Sequence, residues 1–423
     1  MTQKNHAFST NHEHLLDSLG ATDNLLVIQD LDGVCMELVR DPLTRTIDRC
    51  YVEATQQLAG HFYVLTNGEH IGSRGVNTII ESVFDTPAQV REQGFYLPGL
   101  GAGGVQLQDR YGAVSHPGVT EAELAFLQSV PDRARRFLHT YLSLPPQHLD
   151  QADLDRLVAS AVLDNLASPT ININGFYQHF HDRPAQYQHL QQALERFMRA
   201  LQQEAARIQL QDSFFVHYAP NLGHDPQGHE RLKYSDGDNA GTTDFQFMLK
   251  GAIKEVGVLV ILNHYYHQHT GEYPLGEHFN ARQAPHKHSA LLQLARDRFD
   301  PAHMPRIVGV GDTVTSYTQT QDGQTQQLRG GSDRGFLTLV QALGATFGMD
   351  NTVLYIDSSG GEVRRPGIDA AYLEQTPQAP WPALAGISDP ADPLRLDVIF
   401  TGGHRQYVAF FCALAERRAR RAL

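Results

Sequence analysis

Asp30 and Asp32 stand two residues apart in "NLLVIQDLDGVCMELV", directly after the apolar run Leu25 to Ile28 and before Gly33. Residues two apart on an extended segment point the same way, so both carboxylates can face one pocket. The spacing alone is weak, because Asp153 and Asp155, and again Asp236 and Asp238, repeat it without a preceding strand-like run. Thr66 in "HFYVLTNGEH" and Asp312 in "PRIVGVGDTV" occupy the same place after two further apolar runs. Three carboxylates in one pocket repel each other, and a hard divalent cation removes that conflict. Magnesium takes one or two carboxylates together with water and phosphate oxygens, so the set points to phosphoryl chemistry. A carboxylate can attack phosphorus to give an aspartyl-phosphate, while a second carboxyl two residues away protonates the leaving alcohol and then activates water. A hydroxyl, a lysine and the cation would hold the phosphoryl oxygens.

Such residues need a scaffold that gathers loops from distant parts of the chain. Apolar runs that end in polar or glycine-containing loops recur at "NLLVIQDLDG", "HFYVLTNGEH", "PRIVGVGDTV", "TVLYIDSSGG" and "LDVIFTGGH", with helix-like stretches between several of them. The alternation predicts an α/β fold with a Rossmann-like parallel sheet, whose ligands bind at the carboxyl ends of the strands. Between about residues 100 and 248 the pattern changes to a glycine-rich, hairpin-like stretch and then long helical segments such as Leu190 to Leu210. The expected organisation is a core in two parts, 1–99 and 249–423, with an inserted α+β cap domain over 100–248.

A chain of 423 residues with 41% hydrophobic composition has material for two domains. Its net charge of −13 argues against nucleic acid or an anionic membrane as partner. Cys35, Cys50 and Cys412 form neither a disulfide framework nor a zinc pattern, and the longest apolar run, "VGVLVIL", is too short to span a bilayer. With no signal-peptide pattern at the start of the chain, a cytoplasmic location is expected. The histidines of "NHYYHQHTGEYPLGEHF" match no familiar metal spacing, and no metal is assigned to them.

The order "DLDG", "VLTNG", a lysine opening a helix, then "GVGD" resembles the motif order of the haloacid dehalogenase-like phosphatases. Carried over residue by residue, the resemblance implies Asp30 as nucleophile, Asp32 as general acid/base and Thr66 as the phosphate-orienting hydroxyl. It implies Mg2+ held by Asp312, Asp30 and the backbone carbonyl of Asp32. Two lysines compete. Lysine followed by glycine favours Lys250; a small residue three positions on and an aliphatic four positions on favour Lys254, with Gly257 and Val258 in those places, and Lys254 is preferred. Where the family often has a second aspartate four residues after the first, this chain has Ser316. A hairpin insertion turning at Asp322 and Gly323 then precedes "GSDRGFL", so Asp333 either takes the second acidic role at the metal or caps the helix starting near Arg334.

An insert between the threonine and lysine motifs resembles the larger caps of sugar-phosphate phosphatases. Stretches such as "QDLDGVCMELVRDPLTR", "YLPGLGAGGVQ", "GTTDFQFMLKG" and "YPLGEHFNARQAP" resemble the glucosylglycerol 3-phosphate phosphatase family over almost the whole chain. The resemblance implies hydrolysis of a phosphorylated glucoside at the last step of compatible-solute synthesis under salt stress. Functional association with the synthase that supplies the substrate is left open. The rivals are a phosphatase for another sugar phosphate, such as sucrose 6-phosphate, and a non-catalytic sugar-phosphate-binding regulator. For substrate contacts the candidates are Asn67, Gly68 and Glu69 beside Thr66, Lys250 if Lys254 is the catalytic lysine, and Asn221 and Arg282 in polar loop-like contexts. His404 after "TGG" either touches phosphate or sugar or caps a turn. Cys35 reads as a small buried side chain.

Overall fold

The structure is a computed structural model that describes residues 8–321, 324–376 and 378–422. The first strands are β1 (Leu25–Gln29), β2 (Phe62–Leu65), β3 (Gly99–Gly101), β4 (Gln106–Gln108) and β5 (Val114–Ser115). The middle of the chain supplies β6 (Val162–Leu163), β7 (Thr170–Asn172), β8 (Phe214–Ala219), β9 (Asn221–His224), β10 (Glu230–Leu232) and β11 (Asp244–Leu249). The last part supplies β12 (Arg306–Gly311), β13 (Thr315–Gln321), β14 (Gln324–Gly330), β15 (Thr352–Ile356) and β16 (Val398–Phe400).

The large sheet has the order β16-β15-β12-β1-β2-β3-β4-β5, parallel from β16 to β3 and antiparallel in the hairpin that ends it. All five runs expected to be strands lie in its parallel part. Every residue of β1 is buried. Leu25 and Val27 pack into one apolar cluster with Tyr51, Phe411 and Leu414, while Leu26 and Ile28 join another with Val258, Leu337 and Phe336. Helices on both faces are therefore the reason the strand reads as an unbroken apolar run.

The insert begins later than residue 100. Residues 99–115 belong to the large sheet, because β3 pairs in parallel with β2 through Val64↔Gly99 and Leu65↔Leu100, and β4 and β5 continue outward from it. Glycine disguised this strand: Gly99 has φ +137°, and a Cβ there would stand 2.2 Å from the Val64 carbonyl oxygen. Only glycine permits the approach that the sheet needs.

After residue 115 the chain builds a separate antiparallel sheet, β6-β7-β11-β8, with the long helices Glu121–Ser143 and Pro184–Arg207. The first starts with a full capping box between Thr120 and Glu123. The second covers most of the expected stretch from Leu190 to Leu210 but ends at Arg207; it begins earlier, at Pro184, where a missing N–H costs nothing. Strand β11 returns the chain to helix Lys254–Thr270, whose Gly257 lies against Leu65 of β2 with no room for a side chain. The expected hairpin insertion is present as the antiparallel pair β13 and β14. Its expected turn residues, Asp322 and Gly323, lie outside the described residues.

Candidate active site

Three neighbouring strands deliver the site. The Asp30 N–H donates to the Val310 carbonyl just past β1, the Thr66 N–H donates to the Leu100 carbonyl just past β2, and Asp312 follows β12. In the sheet order these strands are adjacent, so their carboxyl ends meet at one edge. Gly33 lets the backbone turn there with φ +81°; a Cβ would sit 2.1 Å from Asp312 Oδ2. Gly311 is likewise pressed against the Asp333 side chain.

Lys254 opens its helix and ends between two carboxylates, with Nζ 2.8 Å from Asp30 Oδ2 and 2.7 Å from Asp333 Oδ1. The other oxygen of Asp333 accepts from the backbone N–H groups of Asp312 and Thr313, each at 3.0 Å. Asp333 therefore does not cap the following helix through its side chain. It fastens the β12 loop to Lys254. Burial works against the charge of Asp333, but the Lys254 ammonium and these donors hold its pKa below the ordinary carboxylate value.

Ligand oxygens of Asp30, Asp312 and Asp333 lie within 4.8 Å of one another, all buried. Burial pushes Asp30 up to about 7, opposed by Lys254 and reinforced by Asp333. Burial, then the neighbouring Asp333, pushes Asp312 up as well. Asp30 Oδ1 and Asp312 Oδ2 are buried with no hydrogen-bond partner. Three carboxylates against one ammonium, with two acceptor oxygens left over, form a donor set that fits a hard divalent cation.

Asp32 is half-buried and paired with Arg45, whose Nη1 donates to its two oxygens at 3.2 and 3.0 Å. Thr66 Oγ1 accepts from the Gly68 N–H at 3.2 Å. Asp30, Asp32, Thr66, Asn67, Gly68 and Lys254 line one cleft. The antiparallel sheet closes the other side with Asn172, Asp244 and Gln246, and Gln246 Oε1 is buried without a partner.

Several expected contacts are engaged elsewhere. Lys250 is exposed and paired with Asp212 at 3.3 Å, outside the cleft, because it sits in the turn before the helix and only Lys254 is carried in by the helix start. Glu69 reaches the cleft wall, but its oxygens accept from the N–H groups of Leu166, Ala167 and Ser168, the Ser168 hydroxyl and Gln106 Nε2. It clamps the Thr66 loop to the insert rather than offering an oxygen to a ligand. Asn221 is buried and fixed by the Tyr218 carbonyl, Glu230 and the Gly223 N–H. Arg282 is bound to Glu123 and to the Lys250 and Ser213 carbonyls, away from the cleft. His404 is half-buried at the start of helix Gly403–Ala422 and is not among the cleft residues. Arg45, Arg74 and Arg365 were missed. Arg365 donates to Thr313 Oγ1 at 2.9 Å, and Arg74 is paired with Asp164 of the insert at 3.4 Å. None belongs to a local spacing pattern that could have announced it.

The C-terminal domain of the Candida albicans trehalose synthase regulatory protein is 9% identical with a TM-score of 0.48, covering 97% of this chain and 100% of that one. The C-terminal domain of C. albicans trehalose-6-phosphate phosphatase is 10% identical with a TM-score of 0.44, covering 97% and 98%. A curated relative from Synechocystis sp., named glucosylglycerol-phosphate phosphatase, is 50% identical over 413 residues, 97% of each chain. The family model described as glucosylglycerol-phosphate phosphatase matches residues 24–415. With that extent of match on both counts, and with its acidic cluster at the carboxyl edge of a parallel sheet, the chain belongs to the glucosylglycerol-phosphate phosphatase family.

Proposed function

We propose that this phosphatase hydrolyses glucosylglycerol 3-phosphate to glucosylglycerol and phosphate through a covalent aspartyl-phosphate on Asp30. The observation that carries the chemistry is the buried trio Asp30, Asp312 and Asp333 around Lys254, with one unpartnered oxygen each on Asp30 and Asp312. Those two oxygens would hold Mg2+, together with the backbone carbonyl of Asp32. When bound, the cation neutralises charge on the phosphoryl oxygens.

Asp30 supplies an oxygen to phosphorus, and the bond from phosphorus to the glycerol oxygen breaks as Asp32 gives that oxygen a proton. Asp32 then takes a proton from the water that releases phosphate and restores Asp30. Lys254 and the Thr66 hydroxyl hold the transferring group. Arg45 keeps the Asp32 carboxylate at the cleft between these turns. Asp333 has no free oxygen in this arrangement, so its part is to orient Lys254 and the Asp312 loop. The antiparallel sheet with its helices acts as the cap, and Asn172, Asp244 and Gln246 would read the hydroxyls of the glucosyl and glycerol parts. Gln246 Oε1, buried and unpartnered, is suited to accept from one of them. The reaction would complete compatible-solute synthesis.

Phosphate release with magnesium and with EDTA, from glucosylglycerol 3-phosphate, sucrose 6-phosphate and trehalose 6-phosphate, tests the reading. Magnesium-dependent preference for the first is expected. Preference for another sugar phosphate would discard the substrate and keep the chemistry; turnover undiminished by EDTA would discard the metal.

A further inference from the structure

Cys50 and Cys412 are 362 residues apart in sequence, yet their sulfurs stand 2.8 Å from each other. Cys50 is exposed in the first turn of helix Arg49–Gln57, and Cys412 is half-buried in helix Gly403–Ala422. The residues beside them fix this meeting. Tyr51 and Phe411 pack with ring centroids 5.0 Å apart, and Phe411 also packs edge-on against Phe62 at 5.4 Å. Rings of this size, buried in one cluster, hold the two helices in register. The C-terminal helix is fastened on its far side too, where Arg417 pairs with Asp17 and Arg418 donates to the Leu19 carbonyl. Both sulfurs sit on packed helices, and their separation is less than about 1 Å longer than a disulfide bond. Cys35 is buried near the catalytic loop and takes no part.

We propose that Cys50 and Cys412 are a reversible disulfide site that fastens the C-terminal helix to helix Arg49–Gln57 when the surroundings become oxidising. The inference does not depend on the substrate or on the metal. With glutathione disulfide as oxidant, the exposed Cys50 thiolate attacks one glutathione sulfur; that disulfide breaks and one glutathione thiolate leaves. Cys412 then attacks the Cys50 sulfur of the mixed disulfide and expels the second glutathione thiolate. Two electrons pass from the protein dithiol to glutathione disulfide, and the two thiol protons end on the departing glutathiones. Cys50 is the entry point because it is the exposed thiol of the pair, while Cys412 is half-buried.

The full chain is equilibrated with glutathione disulfide under native conditions, alkylated and digested without reduction. The expected product is one cross-linked peptide pair carrying Cys50 and Cys412 in a monomeric chain, with Cys35 alkylated only after unfolding and the cross-link reversed by dithiothreitol. Cys412→Ser should stop the reaction with a single glutathione on Cys50. The thermal midpoint should rise on oxidation of the natural chain and stay level in Cys412→Ser. Two thiols left free, separate glutathiones on the two residues, a cross-link between two chains, or an unchanged midpoint on oxidation would each overturn the proposal.

Discussion

At the scale of single residues, the site separates what holds the fold from what does the chemistry. Asp30 and Lys254 touch at 2.8 Å, but their substitutions should act in opposite directions on stability. Asp30→Asn keeps the shape, leaves Lys254 paired with Asp333, and relieves repulsion among three buried acids. Turnover should fall by on the order of a thousandfold or more, while the thermal midpoint without added metal stays level or rises. Retained turnover would remove Asp30 as nucleophile. Lys254→Met instead strips the cation from two buried carboxylates, and breaking a buried pair in this way costs about 3–5 kcal/mol. A fall of that size in urea unfolding, alongside lost turnover, is expected. An unchanged unfolding midpoint would mean that the carboxylates do not need the ammonium.

At the scale of elements, the loop after β2 carries one of the contacts between the large sheet and the insert. Glu69 accepts three successive backbone N–H groups, from Leu166, Ala167 and Ser168, in the segment that leads into β7. That turn has no sheet partner to satisfy those donors, so the buried carboxylate takes the place of one. Glu69→Ala should leave them unmet at roughly 1–3 kcal/mol per buried group. The prediction is a clearly lower urea midpoint and faster proteolytic cleavage near residues 164–169. An unaltered midpoint would show that water or a rearranged turn replaces the carboxylate. The same loop places Thr66 and Asn67 in the cleft, so the clamp couples the position of the insert to the acidic edge of the sheet. Glu69 read as a sugar contact because it is a polar residue beside the threonine motif; five donors from elsewhere in the fold decide its role.

At the scale of the whole molecule, pH should act on stability through His70, which is fully buried against Gln106 and Gln108 of β4. Burial lowers its pKa from 6.5 to about 4. Between these values the unfolded chain binds a proton that the folded chain refuses, so the contribution is present above pH 6.5 and is lost as the pH falls toward 4. The loss attributable to this residue is up to about 3 kcal/mol, read as the difference in pH dependence of urea unfolding between the natural chain and His70→Gln. Equal slopes would mean that His70 does not resist protonation. The elements legible in the sequence were those whose cause is local. Strands β1, β2, β12, β15 and β16 are apolar runs ending in turn residues, and Asp30, Thr66 and Asp312 each directly follow one of those strand ends. Lys254 could be preferred over Lys250 from the small Gly257 three positions on and the aliphatic Val258 four on, and the structure shows Gly257 packed against Leu65. What depends on distant packing left no local trace: the glycine-only strand β3, the commitment of Asn221 and Arg282 to structural partners, the arrival of Arg45 at Asp32 and of Gln246 over the cleft, and the pairing of Cys50 with Cys412. The sequence by itself determined the parallel sheet and the acidic edge, because backbone periodicity and turn chemistry act over a few neighbouring residues. The tertiary structure alone decided which of the remaining polar groups are free to meet a ligand, because a buried group's role depends on the partners that folding brings to it.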